Sequence, residues 1–254
     1  MISLAITGAT GRMGTELIEE ADSRSNVSVD VVFTQRPESI EREDCVIADP
    51  SQAVSVLEDA DIDALIDFTV PEASREYLDA ATTTSTPVVI GTTGFDEAGT
   101  QQIETASQSI PVLKAANFAR GIQTLFSIVS DVVAALPEYD IELTETHHNG
   151  KRDAPSGTAN QILEEIEATR DIADRTHGRS GHAPRQEDNI GVHALRAGNI
   201  TGIHELLLAG NHEELRITHR AEDRGVFAAG AVDAAVWLAD QPSGRYDFQD
   251  VLAE

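Results

Sequence analysis

The chain has 254 residues, 41% of them hydrophobic, and its 44 acidic against 18 basic side chains give a formal net charge of −26. The hydrophobic content excludes a disordered chain, and no apolar run approaches the ~20 residues that cross a bilayer. Because nucleic acids and anionic membranes require a basic face, we expect neither as a partner.

The amino terminus and the single cysteine bear on the compartment. Met1 leads directly into ISLAIT, without the basic and apolar regions of a secretory signal, so we expect a cytoplasmic protein. Cys45 is the only cysteine, which excludes a disulfide within the chain and a zinc site made of cysteines.

The first half of the chain alternates apolar runs with amphipathic segments, which predicts a parallel, doubly wound sheet. Strands are predicted at 2–7, 27–33, 64–69, 87–91 and 110–113, with helices near 12–24, 71–82 and 96–108. The length leaves room for a second domain.

The pattern changes after Asn117. Predicted elements are a helix at 119–136, a strand at 139–147, a helix from about 157, strands at 190–198, 203–210 and 214–221, and a helix at 225–240. The polar segment 171–188 predicts a loop. The close spacing of the last three strands favours antiparallel or mixed neighbours. The fold class is therefore α/β, a Rossmann-type domain followed by an α+β domain.

Glycines mark the first strand-to-helix turn, AITGATGRMG. Glycine permits a tight turn and lets backbone N–H groups approach a pyrophosphate at the helix N-terminus. The spacing differs from the usual G-x-G-x-x-G, so a turn without a cofactor remains the alternative. The candidate cofactor residues of this turn are Gly8, Thr10, Gly11, Arg12, Met13 and Gly14.

Cofactor preference depends on the residues after the second strand. Thr34, Gln35 and Arg36 stand where sites that prefer NAD carry an acidic side chain. NADPH should therefore be accepted, and it would be preferred over NADH if Arg36 binds the 2′-phosphate; the alternative is that Arg36 is a solvated loop residue. A second turn, Gly91, Thr92 and Thr93, is expected to line the nicotinamide side or to be purely structural.

The segment ETHHNGKRDAPSGTA, 145–159, concentrates the candidate catalytic groups. On a regular strand Glu145 and His147 share one face, with Ile141 and Leu143, while His148 lies on the other. This separation argues against a shared metal ion, and we predict no metal site. A histidine near neutral pH can instead act as a general acid.

An anion site is predicted at the end of the same segment. Ser156 is a suitable N-cap, so the N–H groups of Gly157 and Thr158 would face an anion together with Lys151. The chain has only two lysines, Lys114 and Lys151, and Lys114 is expected at a surface strand end. A capped helix beside a solvated lysine is the alternative.

Taken together, these motifs resemble the dihydrodipicolinate reductase family. The resemblance is carried, in order from residue 3 to about 252, by GATGRMG, IDFTVPE, VVIGTTGF, AANFARG, ELTETHHNGKRDAPSGTA, LRAGNITGIHE and ITHRA. It implies a dinucleotide-binding domain at 1–118 plus 225–254 and an inserted substrate-binding and tetramerisation domain at 119–224. It also implies hydride transfer from NADPH or NADH to a cyclic dicarboxylate in the diaminopimelate route to lysine, by a homotetramer.

The resemblance also implies roles for residues. His147 matches the family's proton donor and Lys151 its second catalytic group. The positions that match the substrate-carboxylate site are His148, Lys151, Ser156, Gly157 and Thr158. The positions that match cofactor contacts are Gly8, Arg12, Met13, Gly91, Thr93, Ala115, Ala116, Asn117 and Phe118.

Two other functions are weighed against this one. A semialdehyde-type dehydrogenase would need a cysteine nucleophile, and Cys45 lies in an acidic segment far from the central motif. A dinucleotide-sensing regulator that lost its chemistry would not need His147, Lys151 and Ser156, all of which are present.

An acidic chain with two lysines resembles proteins from organisms that keep molar salt in the cytoplasm, where a Debye length of ~3 Å weakens self-repulsion. We therefore expect the urea concentration at the unfolding midpoint to rise between low and molar potassium chloride. Urea titrations at both salt concentrations measure this, and a midpoint that does not rise would contradict the halophilic assignment.

Overall fold

The computed structural model describes residues 1–253. Its contacts divide the chain into two compact units, the first being Met1–Ala119 with Arg224–Glu254 and the second Arg120–Asp223. Within the described residues, no helix combines the length and the apolar character needed to span a membrane.

Twelve strands and eight helices follow one another along residues 1–253. The strands are β1 (Ile2–Thr7), β2 (Val27–Phe33), β3 (Val46–Ala48), β4 (Ala64–Asp67), β5 (Val88–Ile90), β6 (Pro111–Lys114), β7 (Asp140–His147), β8 (Asp174–His177), β9 (Asn189–Arg196), β10 (Gly202–Ala209), β11 (Glu214–Ala221) and β12 (Gly244–Tyr246). The helices are α1 (Arg12–Asp22), α2 (Ala53–Asp59), α3 (Pro71–Thr84), α4 (Glu97–Ser107), α5 (Arg120–Ala135), α6 (Gly157–Thr169), α7 (Gly225–Leu238) and α8 (Phe248–Leu252).

The first unit is built on a seven-stranded sheet in the order β12-β6-β5-β4-β1-β2-β3, and all its strand pairs are parallel. Alternate side chains of β1 enter two separate cores. Leu4 and Ile6 pack with α1 and α7, while Ala5 packs with α2, α3 and α4. A sheet buried on both faces by helices confirms the predicted doubly wound architecture.

The second unit holds a five-stranded mixed sheet in the order β11-β10-β7-β9-β8. β10 is antiparallel to both β7 and β11, whereas β9 is parallel to both β7 and β8. One face is apolar and buried, with Leu143, Val192 and Leu206 at its centre, and the buried residues of α5 and α6 complete the core. The predicted α+β class is confirmed.

The prediction that 171–188 is entirely loop is wrong. Asp174–His177 forms β8, which pairs with β9 at the edge of the second sheet. All four of its side chains are exposed or half-exposed, so the segment shows no apolar alternation. The short elements β3, α2, β12 and α8 were also not predicted, because three to seven residues carry little periodic signal.

Candidate active site

The glycine turn of the first unit joins β1 to α1. Gly8 has a φ of +62°, in the left-handed region that favours glycine. A Cβ on Gly14 would lie 2.2 Å from the carbonyl oxygen of Gly8, so only glycine fits. The N-cap of α1 is Gly11, which makes no side-chain capping bond. The turn thus allows a phosphate to approach the backbone closely.

A cavity of about 350 Å³ adjoins this turn. Six residues predicted to touch the cofactor line it: Gly8, Thr10, Gly11, Thr34, Gln35 and Arg36. The rings of Phe33, Phe68 and Tyr77 supply apolar wall. A second cavity of about 470 Å³ shares Thr10 and Arg36 with the first. Apolar walls with a few polar groups at the carboxyl edge of a parallel sheet suit a dinucleotide.

The three residues after β2 differ in exposure. Thr34 is buried, and its hydroxyl accepts the N–H of Arg36 at 3.2 Å and lies 3.1 Å from the hydroxyl of Thr10. Gln35 and Arg36 are exposed. Thr34 therefore shapes the turn, whereas Gln35 and Arg36 present their side chains outward.

The buried carboxylate of Asp67 ties the carboxyl ends of neighbouring strands together. It accepts hydrogen bonds from the hydroxyls of Thr7, Thr69 and Thr92, each at 2.7 Å. The hydroxyl of Thr92 thus belongs to this cluster, whereas Thr93 is exposed.

Two predicted cofactor positions pack against aromatic rings. A Cβ on Gly91 would lie 2.2 Å from the Phe68 ring, so the ring occupies the space in front of this glycine. Phe118 is buried and its ring centroid is 5.4 Å from those of Phe68 and Phe248. Met13 also packs against the core of this unit.

The remaining predicted positions of the first unit divide by exposure. Arg12 and Ala116 are exposed, and Ala115 is buried. The side chain of Asn117 accepts the N–H of Ala119 at 2.9 Å.

Lys114 is the last residue of β6, as expected of a strand end, but it is less exposed than expected. The side chain is only partly exposed, and its Nζ lies 5.7 Å from the centroid of the Phe95 ring, within the range of a cation–π contact. Burial, with the charge of Arg245 acting in the same direction, lowers the pKa of Lys114.

In the second unit, β7 carries Glu145 and His147 on its buried face, as the alternation predicted. Nδ1 of His147 lies 2.5 Å from Oε2 of Glu145. Because an ionised carboxylate only accepts, Nδ1 carries the hydrogen and Nε2 is the remaining nitrogen of the ring. Nε2 faces Gly202 of β10, where a Cβ would lie 3.2 Å away.

Glu145 is fully buried and bound on both oxygens. Arg196, the last residue of β9, donates to Oε2 at 2.8 Å and to Oε1 at 2.7 Å. The backbone N–H of Ser156 donates to Oε1 at 3.2 Å, and Arg196 also donates to the carbonyl oxygen of Asp153. These hydrogen bonds and the charge of Arg196 offset the free-energy cost of burying the carboxylate of Glu145.

Ser156 is the N-cap of α6, as predicted, and its hydroxyl oxygen accepts the N–H of Ala159 at 3.2 Å. Nε2 of His204 lies 3.1 Å from the same oxygen, while Nδ1 of His204 is buried without a hydrogen-bond partner among the described residues. An orphaned N–H is rarer than an orphaned acceptor, so we place the hydrogen of His204 on Nε2. The Ser156 hydroxyl hydrogen is then available to a ligand.

Lys151 lies in the turn that connects these elements. Its Nζ is 2.9 Å from Oδ1 of Asp153, and its side chain is 22% exposed. A Cβ built on Gly157 would meet nothing within 4 Å, so the space at the start of α6 is open. Thr158 follows on the first turn of the helix, and His148 is partly exposed.

Burial and charge set the protonation states. Burial lowers the pKa of His147, although the hydrogen bond and charge of Glu145 oppose this; Lys151 and Arg196 lower it further. Burial would raise the pKa of Glu145, but Arg196 and His147 hold it below its ordinary value. Burial, with the charge of His147, lowers the pKa of His204 to about 3. Glu145 is therefore ionised and His204 neutral at neutral pH.

Arg196 and His204 were not predicted as site residues, and Glu145 was given a face but no role. Arg196 and His204 lie within LRAGNITGIHE, a segment that carries the family resemblance. The signal that the sequence offered for Arg196 was a charged residue at the end of an apolar strand. Among residues 1–253, no group of three or more histidine, cysteine or acidic side chains is arranged to hold a metal ion.

Two family models match the chain over nearly its whole length. The model described as "Dihydrodipicolinate reductase, N-terminus" matches residues 2–118, and "Dihydrodipicolinate reductase, C-terminus" matches residues 121–252.

Relatives from halophilic archaea are similar along the full chain. A 4-hydroxy-tetrahydrodipicolinate reductase from Natronomonas pharaonis is 55% identical and covers 99% of this chain and 100% of its own. One from Haloarcula marismortui is 48% identical, with 99% of each chain covered. A solved structure, the dipicolinate-bound dihydrodipicolinate reductase from Paenisporosarcina sp. TG-14, matches with a TM-score of 0.80 at 24% identity, covering 97% of each chain.

The depressed pKa of His204 predicts a loss of stability in acid. The unfolded chain binds a proton at this residue below about pH 6.5, whereas the folded chain binds it only near pH 3. The stabilising contribution is therefore complete above the unfolded pKa and is lost as the pH falls through this window. Urea unfolding at several pH values measures the free energy of unfolding. In His204→Gln the slope of this free energy against pH should be smaller than in the wild type, by up to ~1.4 kcal/mol per pH unit.

The exposed His212 provides the control for this measurement, because a His212→Gln variant should keep the slope of the wild type. Equal slopes for wild type and His204→Gln would contradict the assignment of a neutral, buried His204.

Proposed function

The chain belongs to the dihydrodipicolinate reductase family of oxidoreductases, and on this premise we propose that it reduces 4-hydroxy-tetrahydrodipicolinate, or its dehydrated form, to tetrahydrodipicolinate. The reaction lies in the diaminopimelate route to lysine. The observation that carries the proposal is a buried histidine, His147, whose Nδ1 is bound to Glu145 while the same carboxylate binds the N–H of Ser156, the N-cap of α6. The carboxylate of Glu145 thereby holds both the proposed proton donor, His147, and the proposed anion-binding turn at Ser156.

A nicotinamide dinucleotide is assigned to the domain formed by 1–118 and 225–254. The fit rests on the turn at Gly8 and Gly14, which a Cβ would fill, and on the adjoining cavity. When bound, the reduced cofactor supplies a hydride. Besides the turn, the residues proposed to hold the cofactor are Thr34, Gln35, Arg36, Gly91, Thr92, Thr93 and Ala115 to Phe118.

We propose that NADPH is used at least as well as NADH. No acidic side chain stands among Thr34, Gln35 and Arg36 to repel a 2′-phosphate. Arg36 is exposed and lines both cavities beside the glycine turn, which leaves its guanidinium available to a phosphate.

The substrate is assigned to the domain 119–224. Its carboxylates would be held by Lys151, by the Ser156 hydroxyl, by His148 and by the N–H groups of Gly157 and Thr158. The ammonium of Lys151 has three donors, so it can bind a carboxylate while retaining Asp153. Fixed donors and a full charge orient the ring for reaction.

His147 is the proposed proton donor, and the donating atom is Nε2, because Nδ1 is bound to Glu145. Reduction of a conjugated ring places negative charge at the far end of the π system, where a proton must arrive.

A homotetramer is part of the proposal. It is supported by the family and by the second face of the five-stranded sheet, on which Ile203 and Leu207 are partly exposed and Leu195 is 50% exposed. This face is mixed, because Glu142 and His193 also lie on it, and partly exposed apolar side chains among polar ones suit an interface between copies of the chain.

The activity is tested by coupling the purified chain to dihydrodipicolinate synthase, with pyruvate and aspartate semialdehyde in molar salt. We expect oxidation of NADPH that depends on the synthase, with a kcat/KM for NADPH equal to or above that for NADH. Oxidation no faster than in the reaction without synthase would refute the function, and a strong preference for NADH would refute only the cofactor assignment.

The residue roles predict different kinetics for two variants. His147→Gln should lower kcat by roughly 10²- to 10⁴-fold with a much smaller change in KM, as expected for a general acid. Lys151→Ala should lower kcat and raise KM, because it also anchors a carboxylate. Arg152→Ala, which removes a neighbouring exposed cation, is the control and should change neither. An unchanged kcat in His147→Gln would remove this residue from its role.

A further inference from the structure

We infer that His147 takes up a proton from solvent only when the dianionic substrate binds, and that it later donates this proton to the substrate. Glu145 is the positioning residue that directs the proton to Nε2. The inference rests on the proposed function and adds to it the moment at which the acid is loaded and the group that controls it.

The hydrogen-bond geometry fixes which nitrogen can be loaded. Nδ1 donates to Oε2 of Glu145 at 2.5 Å, so a neutral His147 ring has its single hydrogen there. Nε2 of the neutral ring is a bare acceptor and cannot donate. Only the imidazolium, with Nδ1–H on Glu145 and a second hydrogen on Nε2, can act as the general acid.

The charged groups closest to His147 form two neutral pairs. Glu145 on β7 is paired with Arg196 on β9, and Lys151 is paired with Asp153 in the following turn. The histidines that face the site from β10 and β11 are His204, whose ring centroid lies 5.2 Å from that of His147, and His219, which stacks behind His204 at 6.5 Å.

Burial lowers the pKa of both of these histidines, so they add no charge at neutral pH. With His147 also neutral, the charges of Glu145, Arg196, Lys151 and Asp153 sum to zero. A bound dicarboxylate adds two negative charges, and a proton on Nε2 of His147 compensates one of them. Burial lowers the pKa of His147, and the same burial strengthens the attraction between its imidazolium and a bound dianion.

Glu145 is suited to this role because it cannot turn away. It is completely buried, Arg196 holds both of its oxygens, and the N–H of Ser156 holds one. Arg196 and His147 keep its pKa low, so it remains an anion that stabilises the imidazolium. His204 cannot substitute as the acid, because its Nε2 is bound to Ser156 and its pKa is about 3.

Each turnover then consumes one solvent proton. On substrate binding an N–H bond forms at Nε2 of His147. In the reaction the ring of the substrate receives a hydride, the Nε2–H bond breaks, and its proton passes to the far end of the π system. His147 is again neutral when the product leaves, so the reduction balances as one hydride and one proton.

The test is titration calorimetry with dipicolinate, an aromatic dicarboxylate, in molar potassium chloride and saturating NADPH. The pH is set about one unit above the ordinary histidine pKa of ~6.5, in buffers that differ in ionisation enthalpy. The dependence of the observed heat on that enthalpy gives the protons taken up. We expect about one proton per site in the wild type and a Kd that rises about tenfold per pH unit.

Variants locate the proton. His147→Gln should bind dipicolinate with almost no uptake and a Kd that no longer depends on pH, and Glu145→Gln should lose more than half of the uptake. The matched control is His193→Gln, because His193 also pairs with a glutamate, Glu142 at 2.6 Å, on the other face of the same sheet. It should keep the uptake of the wild type.

A second measurement needs no variant, in case Glu145→Gln leaves Arg196 unpaired and does not fold. Nitrogen NMR of His147 in the wild type should show a bare Nε2 in the ligand-free protein and hydrogens on both nitrogens in the complex. Binding without proton uptake, or a ring that stays neutral when saturated, would overturn the inference and leave the proposed function intact. Failure of dipicolinate to bind at all would overturn both.

Discussion

The buried ion pair between Glu145 and Arg196 is the interaction on which the second unit's site depends. A carboxylate with no exposed surface requires compensating hydrogen bonds, and the planar guanidinium of Arg196 supplies two of them together with a positive charge. The remaining capacity of the carboxylate binds Nδ1 of His147 and the N–H of Ser156. One ion pair thereby fixes the end of β7 and the start of α6, through Glu145 and Ser156, which lie eleven residues apart in sequence.

A second buried carboxylate, Asp67, is satisfied differently. Three threonine hydroxyls bind it, at the carboxyl ends of the strands where the glycine turn begins. These neutral donors fix the orientation of the Asp67 side chain, and Thr7 immediately precedes Gly8. The two units thus use different donors for a related task. In the first, hydroxyls hold strand ends in register beneath a turn, and in the second, a guanidinium holds the glutamate that binds the His147 ring.

Periodicity in the sequence predicted nine of the twelve strands along residues 1–253 and missed β3, β8 and β12, which lie at sheet edges. The bounds of β1 and β2 coincide with the predicted ones, and alternation placed Glu145 and His147 on the buried face of β7. The partner of Glu145 could not be predicted in this way. Arg196 is 51 residues away and reaches Glu145 only because β9 pairs in parallel with β7. Register between distant strands depends on the whole fold, and β8 escaped prediction because an edge strand of polar residues has no periodic signal.

The charge of the chain affects how a substrate reaches this site. A protein of net charge −26 repels a dianion at long range, and at ~0.1 M salt this repulsion extends over a Debye length of about 10 Å. At 1 M salt the Debye length is about 3 Å. This is comparable with the 2.9 Å between Nζ of Lys151 and Oδ1 of Asp153, so exposed charges farther apart than such a contact are largely screened. In such a medium an approaching dicarboxylate experiences little of the distant acidic surface. If the chain binds the proposed dicarboxylate, its capture is then governed by diffusion and by direct contact with the proposed groups, Lys151 and the start of α6, without electrostatic steering.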